Sequence, residues 1–158
     1  MSGACTWLKK NTDQITSAAA IAGVLVAGVG FWVTWYQLSE TTAALKASNT
    51  YTIQNDGREL LDVVQGRGYV RDLLAGTLKP EDQTNAKFDI WKMLNFYLSV
   101  YRQSQADGIT DEFRRAYVRD FCGFVALPGI NAAWKEMIAE KSLNEQQINM
   151  REDWCEGK

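Results

Sequence analysis

The alternation of hydrophobic and polar positions divides this chain into two unlike parts. From residue 14 to residue 39 no charged side chain occurs, and the run AAAIAGVLVAGVGFWVTWY (18–36) is almost wholly apolar. About 20 such residues, rising 1.5 Å each, cover a hydrocarbon core roughly 30 Å thick. Trp32, Trp35 and Tyr36 cluster at one end and Trp7 precedes the other, while Lys9 and Lys10 are placed to reach lipid headgroups. The pattern predicts a polar tail over 1–14 and an uncleaved transmembrane helix over 15–36. A signal peptide would carry a shorter apolar core ending at small residues, not at FWVTWY. Ala19, Gly23, Ala27 and Gly30 fall on one side of this helix. Such a strip lets a second helix approach closely, so that dispersion contacts replace the hydrophobic drive that lipid does not supply.

Beyond Tyr36 the pattern becomes amphipathic. Leu38, Leu45, Ile53, Leu60 and Val64 make a heptad-like stripe without an intervening proline, which predicts a juxtamembrane helix over 37–65. Several Ser, Thr and Asn residues and Gly57 are poor helix formers, so a bend near Asn49 or Gly57 is expected. Gly66-Arg67-Gly68 reads as a break. A helical domain over 66–158 follows. Its elements are a short helix at Tyr69–Ala75 closed by Gly76, a helix over about Glu81–Ala106, one capped by Thr110 and ended at Leu127-Pro128-Gly129, one over about Asn131–Lys141, and a last over Asn144–Trp154. The second of these is apolar around nearly its whole circumference, as the central helix of a bundle is. Lys87, Asp89, Lys92 and Arg102 leave it too short a clean run to be a second span. No strand periodicity follows residue 37. The expected fold is all-α: one N-terminal transmembrane helix continuing into a small helical bundle.

Charge and composition narrow the chemistry. After Tyr36 there are 15 basic and 18 acidic residues, a balance that lacks the basic footprint of a nucleic-acid binder. The chain has no histidine, and with it go the commonest general base, transition-metal ligand and axial haem ligand. Cys5, Cys122 and Cys155 are too few and too scattered for a zinc or iron–sulfur site, and an odd count leaves one thiol free unless it pairs between chains. Cys122, between Phe121 and Gly123 on an apolar face, reads as a buried structural thiol. The acidic residues sit at helix starts or near cations, as Asp89 does with Lys92, which is the pattern of caps and surface pairs. Arg114, Arg115 and Arg119 share a polar face that is a candidate for contact with anionic headgroups or an acidic partner, a solvated face being the plainer reading. Phosphate loops, metal-spaced ligand sets and nucleophile–base motifs are absent, so no catalytic, metal-binding or cofactor-binding residue is expected.

The stretches YQLSETTAALKASNTYTIQNDGRELLDVV (36–64) and WKMLNFYLSVYRQSQADGITDEFRRAYVRDFCGFV (91–125) resemble a loose group of bacterial single-pass membrane proteins with a C-terminal all-helical domain. The resemblance is structural and brings no catalytic motif. It implies a bacterial inner-membrane protein whose domain lies in the cytoplasm, and that is the expectation taken here. Charge counting pulls the other way: Lys9 and Lys10 precede the span and Lys46 alone follows within 20 residues, which favours an N-terminus inside.

Together these readings lead to a non-enzymatic accessory or structural subunit of a larger integral membrane complex, of the kind found in photosynthetic or respiratory machinery. It would dock through its transmembrane helix against other integral membrane proteins in the bilayer. The alternative is a membrane-anchored signalling or adaptor module acting as a homodimer through Ala19, Gly23 and Ala27 together with Leu38 and Leu45.

Overall fold

The structure, a computed structural model, describes the backbone of residues 12–157, and the side chains of residue 16 and of residues 19–157. It is all-α, with no strand among the described residues. One long helix, α1 (Thr12–Arg67), is followed by α2 (Tyr69–Ala75), a 3-10 turn (Pro80–Asp82), α3 (Gln83–Gln105), α4 (Asp111–Ala126), α5 (Pro128–Ala139), α6 (Glu145–Arg151) and a π-helical turn (Glu152–Glu156). The chain forms two compact units that divide between Ala44 and Leu45.

The first unit is the part of α1 through Ala44. Its described apolar side chains are exposed, Val24 and Phe31 each at 72%. The candidate span begins at Ala19, and its most apolar 18-residue window has a mean hydropathy of 1.7 and no buried residue. A helix this apolar and this bare is long enough to cross a membrane, and burying it in lipid removes the cost of leaving it in water. Trp7, Lys9 and Lys10 lie outside the described residues.

The second unit starts with the last part of α1 and is built around α3. Ile90, Leu94 and Leu98 of α3 meet Val64 of α1, Val70 of α2, Phe121 and Val125 of α4, Ile130, Trp134 and Met137 of α5, and Leu143 and Met150. Ile53, Val100 and Ile109 form a smaller cluster with Phe113 and Tyr117 against them. Trp91, expected inside from the apolar circumference of its helix, is 38% exposed, and Ile138, expected to turn inward, is 42% exposed.

The expected bend at Asn49 or Gly57 is absent from the helix assignment, which runs unbroken to Arg67. The hydroxyls of Thr41, Thr42, Thr50 and Thr52 donate to the carbonyls four residues back, at 2.8–3.0 Å, so these residues satisfy themselves without leaving the helix. Asn49 is a tertiary anchor, its Nδ2 donating to the Gly108 carbonyl at 2.9 Å. Gly57 admits the ring of Phe96, whose Cζ lies 2.9 Å from where a Cβ would stand.

Chain breaks follow local chemistry. Gly68 and Gly76 take left-handed φ of 77° and 69° at the two ends of α2. The Thr110 hydroxyl accepts from the Phe113 amide and caps α4. Pro128 does not simply stop α4. It opens α5 at its first position, so that Leu127 alone joins the two helices and α5 starts earlier than Asn131. Asn144 and Gln147 form a reciprocal capping box on α6.

Candidate functional site

Two features of the described structure stand apart from ordinary packing: the bare face of the first unit and an aromatic cleft in the second.

In the first unit, Ala19, Gly23, Ala27 and Gly30 lie within about 80° of arc at 100° per residue. All four are exposed, and a Cβ at Gly23 or Gly30 would meet nothing within 4 Å. The Thr34 hydroxyl, on the same side, donates back to the Gly30 carbonyl at 2.8 Å, leaving no unsatisfied donor on this face. Trp32 and Tyr36 stack one turn apart with ring centroids 6.4 Å apart, and Trp35 is 66% exposed. The three form an aromatic group where the apolar run ends.

In the second unit, Gly57 and Leu60 of α1 face Phe96 and Tyr97 of α3 and Tyr117 of α4 across a cleft of about 330 Å³, with Arg58 and Asp120 as its charged lining. Gly57 lets the Phe96 ring come close to α1, because a Cβ there would stand 2.9 Å from its Cζ. The rings form a network: Phe96–Tyr117 at 5.9 Å, Tyr97–Tyr117 at 6.4 Å and Phe113–Tyr117 at 4.7 Å. Burial first, then the negative charge of Asp120, pushes the Tyr97 hydroxyl up to about 12 and raises that of Tyr117. A more apolar groove of about 620 Å³ shares Leu61 and Met93 with the cleft and continues past Val64, Leu74 and Phe124.

Comparison with known proteins finds no matching family model, no similar curated protein and no similar solved structure. The site must be read from its own chemistry.

The arginines expected on one polar face are on α4. Arg114 reaches back to Asp111 at 3.2 Å, and Arg115 and Arg119 are exposed. None of them lines the cleft or the groove.

Two local readings need correction. Asp89 is not a surface charge. It is fully buried, with Oδ1 3.0 Å from Arg67 Nη1 and 3.9 Å from Lys92 Nζ, and its Oδ2 accepts no hydrogen bond among the described residues. Its i,i+3 spacing to Lys92 hid the partner from α1, 22 residues away in sequence. Cys122 is not an inert thiol but is bonded to Cys155, with their Cα atoms 5.5 Å apart. Sequence reasoning also missed Gly57 as a point of close approach. A glycine in mid-helix is the signal that could have found it.

Proposed function

We propose that this chain is a single-pass, non-enzymatic subunit of a bacterial inner-membrane complex, docking through its transmembrane helix against helices of other integral membrane proteins. The observation that carries this reading is the face formed by Ala19, Gly23, Ala27 and Gly30: a backbone left open at Gly23 and Gly30, on a stretch of α1 whose described bulky apolar side chains through Ala44 are all exposed. In lipid, such a face has the shape that close helix packing requires. The group of single-pass proteins that the sequence resembles supports the same placement. The domain supplies a cleft walled by Phe96, Tyr97 and Tyr117, a surface of aromatic rings rather than a set of catalytic groups.

The test is purification of the tagged full chain from native membranes in mild detergent, with sizing and mass spectrometry. The expected result is stoichiometric co-purification with another integral membrane protein, lost in a Gly23→Leu/Gly30→Leu variant whose domain unfolds at the wild-type denaturant midpoint. A clean monomer or homodimer from native membranes, or partner retention by that variant, would overturn the reading.

A further inference from the structure

Cys122 and Cys155 come from distant parts of the chain, 33 residues apart, and two elements separate them. Aromatic packing accompanies the bond. Trp154, next to Cys155, sets its ring against Phe121, next to Cys122, at 5.6 Å, and against Tyr101 at 5.5 Å. The Tyr101 hydroxyl donates to Asp153. The π-helical turn is thus held on α4 and α3 by aromatic contacts on the same short segment that carries Cys155. Cys155 is exposed and Cys122 is half-buried.

We infer that the helical domain lies on the exported, oxidising side of the membrane, where Cys122 and Cys155 are the substrate thiols of a protein dithiol oxidase. A stable bond between two such residues belongs to an oxidising compartment, since the reducing cytosol keeps thiols apart. An independent observation agrees: Lys9 and Lys10 before the span outnumber Lys46 after it, the arrangement of an N-terminus retained inside. The same topology accounts for the odd cysteine count, placing Cys5 alone on the reducing side and the pair together on the other. It reverses the cytoplasmic placement expected from resemblance, and it rests on the membrane-spanning part of the proposed function but not on the docking partner.

The chemistry balances through a mixed disulfide. The exposed Cys155 thiolate attacks the oxidase disulfide, forming one S–S bond and releasing one oxidase sulfur as thiolate. The Cys122 thiolate then attacks the Cys155 sulfur and releases the second oxidase sulfur. The two thiols have lost two protons and two electrons, and the oxidase disulfide has become a dithiol.

The experiment uses the full chain in its membrane. Cells are quenched with acid, thiols are tagged with a maleimide polymer before or after reduction, and the membrane pellet is run on a denaturing gel. The inference predicts one adduct before reduction and three after it in oxidase-competent cells, and three without reduction in cells lacking the exported dithiol oxidase. It also predicts that a C-terminal fusion to a phosphatase that folds only when exported is active. Three adducts without reduction in competent cells, or an inactive fusion in a membrane-embedded chain, would overturn it. Loss of the chain from the membrane pellet would instead overturn the span on which it rests, so the two failures are told apart.

Discussion

Phe31 and Phe121 are the same side chain in opposite circumstances. Phe31 stands on the first unit with 72% of its surface exposed, and Phe121 sits at the centre of the second with none. The first unit leaves its described apolar surface bare, as a helix suited to lipid does, whereas the second folds its own away from water. Polar groups differ in the same way. In the described part of the first unit the Thr34, Thr41 and Thr42 hydroxyls bond back to their own helix, and in the second the buried Asp89 carboxylate and the buried Gln147 amide meet Arg67, Asn144 and Asn95.

The sharpest way to break this comparison is to truncate the two phenylalanines in turn. Phe121→Ala should cost the domain about 3–5 kcal/mol in denaturant unfolding. Phe31→Ala should leave that unfolding midpoint unchanged. Equal effects would mean that the first unit is part of the folded core.

A charge gives the reverse contrast. Leu25→Arg, at 64% exposure in the span, should cost about 3 kcal/mol in a membrane-insertion assay. Ile138→Arg, at 42% exposure in the domain, should shift domain stability by less than about 0.5 kcal/mol.

Within the domain, Arg67→Met strands the buried Asp89 carboxylate and should cost about 2 kcal/mol, moderated because the Arg67 side chain is 44% exposed and Lys92 is nearby. The double variant Arg67→Met/Asp89→Leu should recover part of that loss in the same unfolding assay.

A further contrast lies in alkaline pH dependence. A folded-state value above the unfolded one means that the native state holds the Tyr97 proton more tightly. The associated stability is therefore full below about 10 and is lost as pH rises towards about 12. Unfolding followed by tyrosinate absorbance should steepen in that window, and Tyr97→Phe should flatten it.

Much of the architecture was legible in sequence because it rests on local rules. The uncharged run marked the span, Gly76 closed α2, and Thr110 and Asn144 opened their helices where side-chain capping predicts. What escaped was non-local. Asp89 pairs with an arginine on another helix, Cys122 with a cysteine beyond two helices, and Gly57 with a ring 39 positions later. No periodicity encodes such meetings. They depend on which faces of which helices come together. The strip of small residues at helical spacing was visible in the sequence, but the cleft was not, because its walls come from three helices.

The most direct measurement of the central claim is a scan of single spin labels along residues 19–60 of the full chain in liposomes, comparing relaxation by oxygen with relaxation by a water-soluble agent. Oxygen should dominate up to Tyr36, the order should reverse by Glu40, and a helical alternation should set in from Ile53, where one face enters the domain. Dominance of the water-soluble agent throughout residues 19–36 would contradict the account, because the first unit would then lie in water and its bare apolar face would have no solvent to explain it.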